Sequence, residues 1–455
     1  MGTGGTTLLK RWTMPSPEFD SRLIPEHSNA TPVDIMMSIK AVFIVLFISA
    51  CGASGPISRS VAPTPHEATS GPKILSQADV EQAILRTVQQ MKLLMHADGQ
   101  FTYRFHLDDS VEYTPKYNML RHAGAMYALD QYLSLFKDET VVATIQNGAR
   151  FMKQCCFKPI PNTSTRTIWK LTSPEASDVE TAKLGGAGLG LIAAVVSSNQ
   201  DTNVVFSIEE LRQIGEFILF MQKEDGSFYS KYAASTAARD DSWTSLYYPG
   251  EAALGLLYLN GMSPHPKWVE AANRALLHLA RTRKEQRDVP HDHWALIATS
   301  KLLAVADNAE VSVADRRTHI THVIQLCLAI IESQELTDGS AVHGAFDPFG
   351  KTTPAATRVE GLVAAWQVLP DSHRELKKRI WTAVNAGVAF LVRAQVQSGV
   401  HSGAFPRAIA SMTDNDKEAR RFNSRMNEVR IDYLQHALSA MLGWLKVRQA
   451  APESN

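Results

Sequence analysis

Seventeen residues with reactive or aromatic side chains fall in six short stretches of this 455-residue sequence. The candidate catalytic residues are Asp178, Glu180, Asp240, Asp241, Glu251 and His293. The candidate substrate-binding residues are Arg121, His122, Trp243, Tyr247, Tyr248, Trp294, Arg358, Glu360, Arg430, Asp432 and His436. Side chains of these types in one cleft are suited to acid–base chemistry and to holding a polar ring.

Two kinds of reaction would use these groups. Glycosidic hydrolysis needs one carboxyl group protonated as the acid and another ionised as the base or nucleophile. Asp240 and Asp241 with Glu251 would serve that reaction. Glycan lyases and sugar epimerases instead need a proton-abstracting side chain and an arginine that steadies a sugar carboxylate.

His293, Tyr248 and Arg121 would serve this second reaction. Aromatic rings fit the faces of sugar rings while their polar edges reach hydroxyl groups, and Trp243 and Tyr247 are placed to do so. Both sets of residues are present in the sequence, so the choice between the two reactions depends on distances that only a structure gives.

Most of the candidates also have a purely structural explanation. Asp178 and Asp240 would serve equally as helix caps, because aspartate accepts hydrogen bonds from the free N–H groups of a first turn. His122 and His436 would serve as hydrogen-bonded core histidines. Three carboxylates are expected in first turns, where the helix dipole favours a negative charge without any catalytic duty: Glu180, Glu251 and Glu360.

The arginines are harder to explain structurally. Arg121, Arg358 and Arg430 fall among helices that are otherwise apolar. A guanidinium group in such a place needs a carboxylate partner, or a ligand that supplies one.

Two kinds of helix must position these residues, and they alternate along the chain. Amphipathic helices with one apolar stripe suit an outer position facing water. They are predicted at Val80–Met95, Val141–Cys155, Ile208–Gln222, Trp268–Arg281, Ile320–Gln334 and Trp381–Gln395. Helices rich in small residues and apolar nearly all round suit an inner position. They are predicted at Arg121–Leu135, Ala182–Ser197, Pro249–Asn260, Trp294–Ala306, Val359–Leu369 and Ile431–Leu445.

Outer and inner helices interleave six times with a repeat of roughly sixty residues, which predicts a closed double ring of helical hairpins. All inner helices then start at the same end of the ring. Because the candidate residues stand before or at those starts, we expect them to surround one funnel.

Similar turns follow several of the outer helices, and these turns resemble those of a known group of folds. They read Asp98-Gly99-Gln100-Phe101, Asp225-Gly226-Ser227-Phe228, Asp338-Gly339-Ser340 and Ser402-Gly403-Ala404-Phe405. Over residues 77–448 the chain resembles the (α/α)6 toroid superfamily, the six-hairpin glycosidase-like proteins. The resemblance implies an all-α fold and activity on a glycan.

Other branches of this superfamily lack support in the sequence. The Asp-x-Asp-Asp proton donor of terpenoid cyclases is absent. Cys155, Cys156 and Cys327 have no metal-ligand spacing, which disfavours the zinc-dependent branches. Neither partner of the complement-type thioester is present at Pro249-Gly250-Glu251-Ala252. No metal or cofactor is predicted, and the three thiols are expected to be buried, with a disulfide to Cys327 as the alternative.

The N-terminal region predicts export and lipid attachment. Lys40 precedes an apolar run that is too short to span a bilayer, and Ile48-Ser49-Ala50-Cys51 resembles the lipobox of bacterial lipoproteins. We therefore expect a non-native extension at 1–35, a signal peptide at 36–50, lipidation of Cys51, a flexible tether at 51–76, the toroid at 77–448 and a tail at 449–455.

These features predict a lipoprotein of the bacterial outer membrane that acts on an envelope or extracellular polysaccharide. Glycoside hydrolysis is the first interpretation, a lyase or epimerase is the second, and a non-catalytic module that binds a glycan or protein is the third. Equal numbers of basic and acidic residues, 46 of each, disfavour a nucleic-acid partner.

Overall fold

The structure is a computed structural model that describes residues 75–113, 117–171, 180–199, 204–305 and 310–450. The predicted signal peptide, Cys51, most of the tether and the candidate Asp178 lie outside these ranges. Within them, no helix is both long enough and apolar enough to cross a bilayer.

Helices dominate the described residues, and thirteen are α-helices. They are α1 (Gln77–Leu93), α2 (Met119–Leu133), α3 (Glu139–Cys156), α4 (Leu184–Asn199), α5 (Ile208–Phe220), α6 (Tyr248–Met262), α7 (Pro266–Arg283), α8 (His293–Val305), α9 (Val313–Glu332), α10 (Thr352–Val368), α11 (Arg374–Ala394), α12 (Lys417–Asn423) and α13 (Ile431–Ala450), with a 3-10 turn at Asp371–His373.

The inner helices are α2, α4, α6, α8, α10 and α13. Each contacts the next in that order, and α13 contacts α2, so the ring closes. The other long helices, α1, α3, α5, α7, α9 and α11, pack around the outside. The fold is therefore an (α/α)6 toroid, as predicted.

The described residues also contain seven strands of three residues each, in the segments between the helices. They are β1 (Arg104–His106), β2 (Phe157–Pro159), β3 (Arg166–Ile168), β4 (Thr181–Lys183), β5 (Lys231–Ala233), β6 (Ala238–Asp240) and β7 (Glu428–Arg430). The antiparallel pairs are β1–β7, β2–β3, β4–β5 and β5–β6. The β1–β7 pair ties the first hairpin to the last.

Small residues let the inner helices approach closely. A Cβ atom on Gly188 of α4 would lie 2.5 Å from the backbone oxygen of Glu251 on α6, so only glycine fits there. The turns after two of the outer helices depend on glycine and on a buried aromatic ring. Gly99 and Gly226 have φ near +89°, and the aromatic rings that follow them, Phe101 and Phe228, are buried.

The start of one inner helix was predicted wrongly. Helix α10 begins at Thr352 rather than at Val359, and Pro354 is accommodated in its first turn because the N–H groups there need no helical partner. Glu360 is consequently in the middle of a helix, so the helix dipole does not explain its position.

The three cysteines of the domain are free thiols, and Cys156 and Cys327 are buried. Strand β6 ends at Asp240, and Glu180 immediately precedes β4. Asp240 is therefore not a helix cap, and Glu180 is not in a helical first turn.

Candidate active site

Buried polar atoms without a hydrogen-bond partner collect inside the inner ring. They include Glu251 Oε2, both ring nitrogens of His293, Trp294 Nε1, Glu360 Oε1 and both side-chain amide atoms of Gln435. Buried polar groups in folded proteins are normally paired. These atoms are therefore available to water or to a ligand at the centre of the ring.

We call the residues grouped there the axial cluster. It consists of Arg121, Tyr247, Glu251, His293, Arg358, Glu360, Asp432 and His436, all of which were candidates from the sequence. They lie on or just before five of the six inner helices. We call the end of the ring where these helices begin the N-terminal face.

Glu251 is a carboxyl group that stays protonated at neutral pH. It lies in the first turn of α6, as predicted, and its residue is only 2% exposed. Burial raises the pKa of Glu251 to about 8, although the charge of Arg121 opposes this rise. Gly185 leaves space for the carboxyl group, because a Cβ atom at that position would lie 2.0 Å from Glu251 Oε2.

His293 is a neutral base with free nitrogens. It begins α8 and is 2% exposed. Burial lowers the pKa of His293 well below its usual value, and the charges of Arg358 and Arg121 add to this effect. Its ring stands edge-on to the ring of Tyr247, with the centroids 4.9 Å apart.

His436 and Glu360 form a buried pair beside His293. His436 Nδ1 lies 2.7 Å from Glu360 Oε2, and His293 Nε2 lies 3.9 Å from the same oxygen. Burial raises the pKa of Glu360, although His436 opposes this rise. One ligand atom from each of these three residues lies within 4.8 Å of the others, so this trio could hold a metal ion.

Asp432 anchors two arginines. Arg430 donates to both of its oxygens, at 3.0 and 2.6 Å, and Arg121 Nε lies 3.5 Å from Oδ2. Burial alone would raise the pKa of Asp432, but the charges of Arg121 and Arg430 outweigh burial and lower it. Asp432 is therefore an ionised carboxylate whose oxygens are engaged.

Arg358 has weaker partners. Its Nε donates to His291 Nδ1 at 3.2 Å, and its Nη1 donates to the backbone oxygen of Pro354 at 3.0 Å. Burial lowers the pKa of Arg358, while the charges of Tyr247 and Asp347 raise it. No carboxylate of the described ranges lies within 4.0 Å of this guanidinium group.

The aromatic candidates have different surroundings. Trp243 is 53% exposed and stands edge-on to Tyr248, with centroids 5.7 Å apart. A pocket of about 340 Å³ lies beside Tyr248. Trp294 instead is enclosed in the ring interior against Tyr127 and His436, away from the rim.

His122 has the environment of a core histidine. Its ring nitrogens lie 2.6 Å from the hydroxyl of Tyr117 and 2.9 Å from the backbone oxygen of Gly148. Burial lowers the pKa of His122 to about 4. Because both nitrogens are engaged, the ring is not free to bind a substrate.

The remaining carboxylate candidates are outside the axial cluster. Asp240, Asp241 and Glu180 lie on or beside the sheet of β4, β5 and β6, and each forms an ion pair with a lysine: Lys231 at 3.1 Å, Lys223, and Lys158 at 2.8 Å. Hydrogen bonds from Ser242 and the charge of Lys231 lower the pKa of Asp240 to about 2. None of the three hydrogen-bonds to the axial cluster.

A positioning contact was missed from the sequence. Asp292 accepts a hydrogen bond from the backbone N–H of Ala295 and pairs with Arg283 at 2.9 Å. It therefore fixes the start of α8, and with it His293. An aspartate directly before a predicted helix was the available signal, but its arginine partner on the preceding outer helix was not visible.

No protein-family model and no curated protein matches the chain. Solved structures do match. A D-mannose isomerase has a TM-score of 0.59 at 11% identity, covering 82% of this chain and 98% of that one. A sugar epimerase from a ruminal bacterium has a TM-score of 0.57 at 10% identity, covering 80% and 98%.

An alpha-1,6-mannanase from Salegentibacter sp. has a TM-score of 0.53 at 12% identity, covering 82% of this chain and 99% of that one. At such low identities, the comparisons establish the (α/α)6 toroid and leave the reaction to be argued from the site.

Proposed function

We propose that this protein is a carbohydrate-active enzyme that moves a proton on a sugar at the axial cluster, as an epimerase, isomerase or lyase does. The observation that carries the proposal is that two buried groups, Glu251 and His293, lie in the first turns of the neighbouring inner helices α6 and α8. Both are buried and uncharged near neutral pH, and both have atoms without a partner. One can donate a proton and the other can accept one.

The chemistry follows from these two states. His293 takes a proton from a sugar carbon next to a carbonyl or carboxyl group, and the electron pair of the broken C–H bond moves onto the oxygen. Arg121 and Arg358 stabilise the negative charge that develops there. In an epimerase or isomerase, the electron pair returns to carbon and forms a new C–H bond with a proton from Glu251. In a lyase, the pair instead forms a C=C bond, the C–O bond to the glycosidic oxygen breaks, and Glu251 protonates that oxygen.

The solved structures support a carbohydrate substrate. Those named above are an isomerase, an epimerase and a mannanase, and all three share this fold. The exposed ring of Trp243 and the partly buried ring of Tyr247 offer surfaces that suit a sugar.

Glycoside hydrolysis is the second candidate, and one observation favours it. Asp240 and Asp241 are consecutive aspartates near the exposed Trp243. A variant of the Salegentibacter mannanase with two aspartates replaced by asparagine is described as inactive. Both aspartates of this chain are held by lysines, which is why we rank hydrolysis second.

One experiment distinguishes proton transfer on a sugar from glycoside hydrolysis. The purified protein, Glu251→Gln and His293→Gln would be incubated in D2O with a panel of bacterial envelope and capsular glycans. We expect deuterium at a sugar carbon, or an unsaturated product, at rates that fall about 100-fold or more in either variant. New reducing ends without deuterium or unsaturation, unaffected by His293→Gln, would show hydrolysis instead.

We also propose that the protein is exported and lipid-anchored through Cys51, with a polysaccharide and the membrane as its partners. The lipobox-like sequence supports this. Labelling of cells with a palmitate analogue should mark the wild-type protein and not Cys51→Ser. Equal labelling of both proteins would contradict the anchor.

A further inference from the structure

We propose that the sugar bound at the axial cluster carries a negatively charged oxyanion group, such as the carboxylate of a uronic acid, and that Arg358 and Arg121 receive it. This inference rests on the proposed function and narrows its substrate class. It is carried by the contacts of three guanidinium groups on the N-terminal face.

The arginines there outnumber the carboxylates that neutralise them. Asp432 pairs with both Arg121 and Arg430, and no carboxylate of the described residues lies within 4.0 Å of the Arg358 guanidinium group. Glu251 is mainly protonated at neutral pH and supplies little negative charge. A partly buried site with excess positive charge favours an anionic ligand.

Arg430 donates two hydrogen bonds to Asp432, whereas Arg121 and Arg358 have N–H groups that can still donate to a ligand. Arg121 Nε lies 3.5 Å from Asp432 Oδ2, and the Arg121 side chain remains 25% exposed. Arg358 is held by an imidazole nitrogen and a backbone oxygen. Asp347 acts on Arg358 through its charge, but its oxygens accept hydrogen bonds from the backbone N–H groups of Phe349 and Lys351.

Arg121 and Arg358 both lie close enough to the proposed reacting side chains for their charges to act on them. The charges of both Arg358 and Arg121 act on Tyr247 and on His293. An oxyanion between these arginines would therefore lie next to the proton acceptor. A planar carboxylate matches the fork of a guanidinium group, which favours a uronic acid over other anionic sugars.

Titration calorimetry with the full protein tests the inference. The probes are trisaccharides of galacturonic, glucuronic or mannuronic acid, their carboxyl-reduced neutral counterparts and a sulfated neutral trisaccharide. We expect at least one acidic trisaccharide to bind about tenfold or more tightly than its reduced counterpart. Comparable binding of the sulfated sugar would extend the inference to oxyanions in general.

Arg358→Met should remove this preference, and Arg358→Lys, which keeps the charge but not the fork, should restore part of it. The control is Arg393→Met, because Arg393 lies on outer helix α11 and donates to the backbone oxygen of His343. It should leave binding unchanged. Thermal unfolding of each variant establishes that it is folded.

Equal binding of acidic and reduced sugars, or an acid preference that survives Arg358→Met, overturns the inference. Binding of an acidic sugar without any conversion would keep the inference and reject the proposed function. Conversion of a neutral sugar would keep the proposed function and reject the inference. Failure of every glycan to bind would reject the inference and the proposed function together.

Discussion

Two regions of this molecule carry the carboxyl groups that the sequence marks as catalytic, and they differ in almost every physical respect. In the axial cluster, Glu251 is buried and one of its oxygens has no partner. On the sheet of β4, β5 and β6, Asp240 and Asp241 are partly exposed, and each is paired with a lysine.

The difference sets their protonation states. Burial raises the pKa of Glu251 to about 8, while hydrogen bonds from Ser242 and the charge of Lys231 lower the pKa of Asp240 to about 2. At neutral pH, one group can therefore donate a proton and the other cannot. Solvent and partners, rather than residue type, decide which carboxyl group can act as an acid.

The largest expected effect comes from the anchor of the axial cluster. Asp432→Asn keeps the shape of the side chain but leaves Arg430 and Arg121 without their carboxylate. We expect a loss of about 3–5 kcal/mol in the free energy of unfolding, measured by denaturant titration. Asp241→Asn, which removes an exposed pair, is the matched control and should change stability very little. Similar losses in both variants would mean that the two regions do not differ as described.

The helices could be predicted because the burial of a helix determines which residue types it contains. A helix surrounded on all sides, such as α4, has no charged residue, while an outer helix such as α3 has a buried stripe at helical spacing and polar or charged residues on its other side. Elements that lack such a compositional pattern were missed from the sequence. Helix α12 is short and polar, and the strands have only three residues each.

The sequence drew attention to the residues of the axial cluster, but it did not reveal their contacts. Candidates such as Arg121, Glu251 and His293 meet in the axial cluster because inner helices start at one face of the ring, whereas Arg358 and Glu360 lie further along α10. The contact of Arg121 with Asp432 and the contact of His436 with Glu360 each join helices that are distant in sequence, so local sequence does not reveal them. Asp240 and Asp241 resembled a catalytic pair in sequence because nothing local indicates the lysines that bind them.

A smaller effect should appear in the pH dependence of stability. The pKa of Glu251 is raised from 4.5 to about 8, so the folded protein binds more protons than the unfolded chain between these values. The stability that this group contributes is complete below pH 4.5 and is lost as the pH rises towards 8. Between pH 6 and pH 7 the free energy of unfolding should fall by about 1.4 kcal/mol more in the wild type than in Glu251→Gln. Parallel pH profiles for the two proteins would mean that Glu251 is ionised at neutral pH.

The smallest expected effect is on the activity of Asp240→Asn and Asp241→Asn. If the reaction takes place at the axial cluster, the exposed carboxylates of the sheet contact no reacting atom, and the turnover of each variant should stay within about threefold of the wild type. Initial rates on the glycan that the wild-type protein converts would measure this, with Glu251→Gln assayed beside them. A loss of about 100-fold in either aspartate variant would move the chemistry to the sheet, since removal of a catalytic acid or base has an effect of that size. In that case the lysines at Asp240 and Asp241 would have to release them when the glycan binds, and hydrolysis would become the leading interpretation.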